Sequence, residues 1–236
     1  MARRKKKVEE EPAAENIIES VPEEPKEEPK EEPKEEPKEP EPKVQRKPMR
    51  QRLHAVKEEM MQEYGDAIEW MTALHEGDVD KNGAPYWTHP LIVSIRAKKL
   101  AEKFGLPVKT VVISALLHDA VEDGHTSLPQ VEARFGKDVA KIVGILTRNP
   151  NLTYMEYVKN IIASASKMAL LVKWSDLIHN TNPARMSKLN PKDKARLSKK
   201  YGNARKLIES VYPALKEEGR KIDSERILKR KEGGNA

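Results

Sequence analysis

The sequence predicts an all-α domain that follows a disordered N-terminal tail. Apolar residues recur at intervals of three and four, as at Tyr64, Ile68, Met71 and Leu74, which is the pattern of one buried helix face. Runs that alternate apolar and polar residues, and the turn signals of β-hairpins, do not support a sheet. The first 50 residues differ from the rest because proline and charged residues dominate them.

Residues 1–50 are predicted to form a low-complexity tail. The unit Glu-Glu-Pro-Lys occurs four times in tandem between Glu23 and Lys38. A proline at every fourth position removes amide donors and restricts the preceding residue, so neither a helix nor a sheet can continue through the repeats. Because the repeats have no apolar side chains to bury, we expect an extended, disordered segment. Such a tail either keeps the protein soluble or tethers a protein partner.

The helical domain is predicted to span residues 51–212. Its helices are expected at about 58–76, 90–104, 108–119, 127–134, 136–147, 153–165, 166–179 and 191–211. Pro90 suits the first turn of the second helix, with His89 near its cap. Glycine and proline at residues 105–107 predict the break before the third helix. Residues 213–236 are strongly charged and are predicted to form a frayed C-terminal tail.

The composition excludes several classes of protein. Cysteine is absent, which excludes disulfide scaffolds and thiolate metal sites. The longest apolar runs, at residues 111–113 and 169–172, are too short to cross a bilayer, and the basic cluster at residues 3–7 lacks the apolar stretch of a secretory signal. The formal net charge is +6, but aromatic residues make up only 5% of the chain and none is interleaved with the C-terminal basic residues. We expect a cytoplasmic protein that binds neither membranes nor nucleic acid.

Three separated motifs contain the residues that could carry chemistry: 83–90 (Gly-Ala-Pro-Tyr-Trp-Thr-His-Pro), 116–123 (Leu-Leu-His-Asp-Ala-Val-Glu-Asp) and 172–180 (Val-Lys-Trp-Ser-Asp-Leu-Ile-His-Asn). In the second motif, His118 precedes Glu122 by four positions, and Asp119 precedes Asp123 by four, which predicts adjoining faces of one helix. Acidic groups at a helix C-terminus beside an apolar run are costly unless a cation or solvent neutralises them. A bound metal and a solvated acidic helix end explain this motif about equally well.

Together the motifs supply two imidazoles and two carboxylates that could coordinate one metal ion: His89, His118, Asp119 and Asp176. Mixed nitrogen and oxygen donors without thiolate suit Mn²⁺, Fe²⁺, Co²⁺, Ni²⁺ or Zn²⁺. Such a site lowers the pKa of bound water and polarises a phosphoryl oxygen, so Glu122 and Asp123 are candidates to orient or deprotonate that water. Simpler explanations remain for single residues, since His89 can cap its helix and Asp176 can pair with Lys173 one turn earlier.

The order and spacing of these motifs resemble the HD-superfamily hydrolases, in particular the hydrolase domain of RelA/SpoT-type (p)ppGpp hydrolases and their single-domain relatives. The resemblance covers about residues 54–212 and implies an all-helical bundle that removes the 3′-pyrophosphate from guanosine tetra- or pentaphosphate. It implies Mn²⁺ held by His89, His118, Asp119 and Asp176, with Glu122 and Asp123 activating water. It also implies substrate contacts at Lys81, Tyr86, Lys173 and Asn180.

Two departures from the family pattern concern the nucleotide pocket. Asp80 occupies the position where the alarmone hydrolases usually carry an arginine, and an acid there is expected to repel phosphate. Residues 174–177 read Trp-Ser-Asp-Leu where the family has Leu-Ala-Asp-Arg. Leu177 therefore takes the place of a second basic residue. Two alternatives therefore stay open. One is an HD hydrolase of another nucleotide or an NADPH-like phosphate ester, and the other is a non-catalytic scaffold that acts through its tails.

Overall fold

The computed structural model describes residues 49–81 and 83–232, and within them the secondary structure consists of ten α-helices. The helices are α1 (Met49–Leu74), α2 (Thr88–Lys103), α3 (Val108–Leu116), α4 (Leu128–Phe135), α5 (Lys137–Leu146), α6 (Tyr154–Ala163), α7 (Lys167–Asn180), α8 (Pro183–Met186), α9 (Pro191–Val211) and α10 (Pro213–Glu232). No strand occurs among the described residues, so the predicted all-α class is confirmed. The tail predicted for residues 1–50 lies outside them, apart from the two residues that begin α1.

Local sequence explains where several helices begin and end. Thr153 and Glu156 form a capping box at α6, in which the Glu156 amide donates to Thr153 Oγ1 and the Thr153 amide donates to Glu156 Oε2. Helix α2 ends in a Schellman motif, because Gly105 adopts a φ of 61° and the Leu106 amide donates to the Ala101 carbonyl. This motif is the break that the sequence predicts between the second and third helices.

Helix α7 lies at the centre of the bundle and positions the site. Every residue from Ala169 to Leu177 is buried, as expected of a helix that neighbouring elements surround on all sides. It packs against α2, α3, α5, α6, α8 and α9. Buried apolar side chains of α2, α3 and α5 complete the core on either side of it. The polar residues Lys173 and Asp176 are therefore held away from solvent, where they need partners.

Several boundaries differ from the sequence prediction. The first helix, expected at about 58–76, spans Met49–Leu74 and so begins nine residues earlier. Helix α3 ends at Leu116, and residues 117–124 form consecutive turns instead of continuing the helix to residue 119. The predicted helical faces of the second motif therefore do not exist. The turns resemble a helix locally, because they keep hydrogen bonds between residues four apart, such as that from the Asp123 amide to the Asp119 carbonyl.

The segment predicted as a charged tail begins with a packed helix. In α10, Leu215 and Ile222 lie seven positions apart on one face and are buried in the core. The many charged residues between them conceal this apolar pair in the sequence. Within the described residues, no helix is both long and apolar enough to span a membrane.

Candidate active site

Three elements bring the predicted metal ligands together. His89 is the second residue of α2, His118 and Asp119 lie on the turns that follow α3, and Asp176 lies on α7. Helix α2 packs closely on both α3 and α7, so residues that are far apart in the sequence meet at one end of these helices.

The side chains of these residues converge on one point. His89 Nε2 lies 3.2 Å from Asp176 Oδ1 and 3.4 Å from Asp119 Oδ2. His118 Nε2 lies 3.1 Å from Asp119 Oδ2 and 3.8 Å from Asp176 Oδ1. Both histidines are only 2% exposed. Each imidazole nitrogen therefore lies within 3.8 Å of an oxygen of both carboxylates. One ligand atom from each of His89, His118 and Asp119 lies within 4.8 Å of the other two, and Asp176 approaches both histidines.

The orientation of His118 suits a cation. Its Nδ1 lies 2.7 Å from the Ala115 carbonyl, which can only accept, so Nδ1 carries a proton and points away from the cluster. Without a metal, Asp119 and Asp176 outweigh burial and raise the pKa of His118 to about 10, and a bound cation would take the place of the proton on Nε2. Nε2 is buried and forms no hydrogen bond. A buried nitrogen without a hydrogen bond is rare, and a backbone partner on the opposite nitrogen is typical of metal-binding histidine. The donor set fits a divalent cation.

The protein's own charges also favour ionised carboxylates at this point. Although burial favours the neutral acids, His118 holds the pKa of Asp119 well below its usual value, and Lys173 does the same for Asp176. The ammonium group of Lys173 lies 2.8 Å from Asp176 Oδ2, and Asn180 donates to the other oxygen, Oδ1. The pair with Lys173 expected from the sequence therefore forms, and Asp176 still reaches the cluster.

Tyr86 connects the cluster to the cleft wall. Its hydroxyl donates to Asp119 Oδ2 at 2.7 Å, and burial together with this carboxylate raises the pKa of Tyr86. The hydroxyl thus stays protonated and orients Asp119. The tyrosine also lines the cleft, where the sequence predicts a substrate contact.

Glu122 and Asp123 lie on the turns at the exposed side of the cluster. Glu122 accepts a hydrogen bond of 3.0 Å from the backbone amide of Arg148, whose Nε lies 3.6 Å from the same carboxylate. Partial burial and the negative charges of Asp119 and Glu122 raise the pKa of Asp123 to about 6. Asp123 is therefore a carboxylate at neutral pH that can still accept a proton readily.

The cluster forms the floor of a cleft of about 350 Å³, which is large enough for a small ligand. The cleft is lined by the cations Lys81, Arg148, Lys173, Arg185 and Lys200 and by the tyrosines Tyr86, Tyr154, Tyr157 and Tyr201. The motifs do not point to Arg185, Lys200 or the three later tyrosines, because these residues lie on α6, α8 and α9, outside any recognisable pattern. Only knowledge of how those helices pack could have identified them.

Asp80 does not stand as an isolated negative charge in the cleft. Its side chain is 6% exposed, its Oδ1 accepts from the Ala84 amide at 3.0 Å, and its Oδ2 lies 3.2 Å from Nη1 of Arg185. The repulsion of phosphate expected from the sequence is therefore offset within the protein, by a cation from a short helix that the sequence does not predict.

Comparison with known proteins supports the resemblance. Residues 67–170 match the family model of the HD domain. The guanosine-3′,5′-bis(diphosphate) 3′-pyrophosphohydrolase of Aquifex aeolicus is 38% identical over 120 residues, which are 48% of this chain and 16% of that protein. The guanosine-3′,5′-bis(diphosphate) 3′-pyrophosphohydrolase MESH1 of Xenopus tropicalis is 38% identical over 104 residues, which are 43% of this chain and 56% of that protein.

Two further matches have lower sequence identity to this chain. The bifunctional (p)ppGpp synthase/hydrolase SpoT of Escherichia coli is 28% identical over 53% of this chain and 18% of its own length. A solved structure of a metazoan SpoT orthologue that hydrolyses ppGpp overlaps 62% of this chain and 93% of its own, with a TM-score of 0.48 and 23% identity. In each curated relative described here, the matched segment spans less than two thirds of that protein. The sequence matches confirm the predicted resemblance to HD-domain (p)ppGpp hydrolases.

Proposed function

Because residues 67–170 match the HD domain, we propose that this protein is a metal-dependent phosphohydrolase that removes the 3′-pyrophosphate from guanosine tetra- or pentaphosphate. The observation that carries the proposal is the convergence of His89, His118, Asp119 and Asp176 at the floor of a cation-lined cleft. The named activity of the similar proteins supplies the choice of substrate.

We propose that these four residues hold Mn²⁺, since two nitrogen and two oxygen donors suit this ion among other divalent transition metals. Such an ion, when bound, would supply a Lewis acid that polarises a phosphoryl oxygen and lowers the pKa of water. Lys173 and Asn180 would serve it indirectly, because both contact Asp176. Lys173 is only 7% exposed. We therefore assign it to keeping Asp176 ionised and in position, and not to a contact with phosphate.

The remaining cations of the cleft suit a ligand with several phosphates. Lys81 is exposed at the rim, and Arg148 and Lys200 line the same cleft. Burial and the neighbouring positive charge of Arg148 lower the pKa of Lys200. A bound anion would stabilise the protonated ammonium group of Lys200 against both effects. A nucleotide with pyrophosphate groups on two positions of its ribose matches this distribution of charge.

Asp123 is the proposed proton acceptor. The oxygen of a water molecule bonds to the phosphorus that carries the ribose 3′-oxygen, and the bond between that phosphorus and the 3′-oxygen breaks. The proton lost by the water passes to Asp123, and the 3′-oxygen leaves with a proton from solvent. Glu122, which Arg148 holds in place, would orient the water.

The decisive experiment measures the release of phosphate or pyrophosphate by the full chain from ppGpp and, in separate reactions, from GTP, dGTP and NADPH. We expect release from ppGpp that stops with a chelator, returns with Mn²⁺ and is lost in Asp119→Asn and Asp176→Asn. Glu132→Gln, which changes an exposed acid on α4, should retain full activity as the matched control.

Turnover of another substrate in the same metal-dependent way would keep the hydrolase and overturn the choice of (p)ppGpp. Metal binding without turnover of any of the four compounds would contradict the choice of (p)ppGpp, and would favour first a hydrolase of another substrate and second the scaffold alternative. Full activity in Asp119→Asn or Asp176→Asn would show that the reaction takes place elsewhere.

A further inference from the structure

A second cluster of potential metal ligands lies beside the first. One ligand atom from each of His75, Asp123 and His125 lies within 4.8 Å of the other two. His75 directly follows α1, whereas Asp123 and His125 belong to the turns after α3. Neither histidine is among the ligands of the first cluster.

Asp78 joins this second cluster through both imidazoles. Its Oδ2 lies 3.1 Å from His75 Nδ1 and 2.9 Å from His125 Nε2. The two rings meet edge to face, with 4.7 Å between their centroids. Two nitrogen-bearing rings and two carboxylates thus gather at a place where α1 and the turns after α3 approach each other.

The unsatisfied nitrogen of His75 indicates that this cluster is built for a ligand. His75 is only 2% exposed, and its Nδ1 is engaged by Asp78. Its Nε2 is buried and has no hydrogen-bond partner. A histidine that serves only for packing would normally satisfy both ring nitrogens or expose one of them to water. The buried Nε2 can therefore offer a lone pair to a cation.

Acidic groups gather around the cluster. Asp78 and Asp123 each contribute a carboxyl group, and Asp119 and Glu122 add to the negative potential at Asp123. A divalent ion would balance the two carboxylates of the cluster.

We propose that His75, Asp123 and His125, assisted by Asp78, bind a second divalent transition-metal ion. The mixed nitrogen and oxygen donors suit Zn²⁺, Co²⁺ or Mn²⁺. Tyr86 links the two sites, because its ring lies 4.7 Å from that of His75 and its hydroxyl bonds to Asp119. A carboxylate has two oxygens, so Asp123 can bind the second ion through one and face the cleft with the other. The ion would lower the pKa of Asp123, so we expect the second site to weaken Asp123 as a proton acceptor.

The test counts metal ions on the full chain. Protein stripped with a chelator is loaded with Co²⁺, passed through a desalting column and analysed for bound cobalt, and its visible absorption is recorded. We expect two equivalents in the wild type, one in His118→Ala, one in His125→Ala and none in the double variant. His54→Ala, which removes an exposed histidine outside both clusters, should keep two.

The side chain of His125 is partly exposed, so its removal should leave the core packed. Loss of cobalt in His125→Ala would therefore report on the site and not on unfolding. Asp78→Asn provides a second variant that weakens the same site without removing bulk, and a smaller loss of cobalt is expected. A single equivalent that His118→Ala removes and His125→Ala leaves unchanged would overturn this inference while the proposed function stands. Absence of bound cobalt from the wild type would overturn both.

Discussion

At the scale of single residues, three acids of the cleft are each paired with a cation of the same cleft. Asp176 pairs with Lys173, Glu122 with Arg148, and Asp80 with Arg185. The last pair differs from the others because it also fixes a loop. The Asp80 amide donates to the Ala84 carbonyl while Asp80 Oδ1 accepts from the Ala84 amide, so the acid closes the turn before Tyr86 and fastens it to α8.

We expect Asp80→Ala to lower the free energy of unfolding by about 2 kcal/mol, because it removes one acceptor from the Arg185 guanidinium and another from the Ala84 backbone amide. Urea denaturation monitored by circular dichroism measures this change. Glu63→Ala removes an acid from an exposed pair with Lys98 and should have a much smaller effect. Equal effects in the two variants would show that the pair with Arg185 does not hold the loop.

At the scale of helices, the contact between α7 and α10 depends on one glycine. A Cβ atom placed on Gly219 would lie 2.0 Å from Cη2 of Trp174. The tryptophan is buried and its Nε1 donates to Glu209 on α9, so its ring has little freedom to move aside. Close approach of α10 therefore requires the absence of a side chain at this position.

Gly219→Ala should destabilise the protein by about 1–3 kcal/mol, because overpacking outweighs the better helix propensity of alanine. Gly202→Ala on α9 is the matched control, since nothing lies within 4 Å of the added Cβ. That variant should be more stable than the wild type by up to about 1 kcal/mol. Thermal unfolding of both variants tests the packing of α10, and a stabilised Gly219→Ala would contradict it.

The elements that the sequence predicted correctly are those with strong local signals. Gly105 marks the end of α2, and Thr153 with Glu156 marks the start of α6. The failures arise where local signals mislead. Two apolar residues among many charges did not reveal α10, and the helix-like spacing of the turns after α3 concealed the end of that helix. Motifs indicated which residues could bind metal, but the pairing of Asp80 with Arg185 depends on tertiary packing and could not be predicted.

At the scale of the whole molecule, α7 is the element on which the site depends. It is buried along most of its length, and it carries both Asp176 and the residues that hold this acid in place. Because neighbouring helices surround α7, we expect it to hold the carboxylate in one position, as the proposed reaction requires. The residues that line the rest of the cleft lie instead on the loop of Asp80 and on α6, α8 and α9.

The separation of the metal ligands along the chain has a kinetic consequence. His89 and Asp176 stand 87 positions apart, so their donor atoms meet only after α2 has docked on α7. If docking completes late, bound metal should slow unfolding and leave the refolding rate almost unchanged. Stopped-flow measurements with Mn²⁺ and with a chelator would detect this asymmetry, and Asp176→Asn should abolish it. Faster refolding with Mn²⁺ would mean that the ion helps to nucleate the fold.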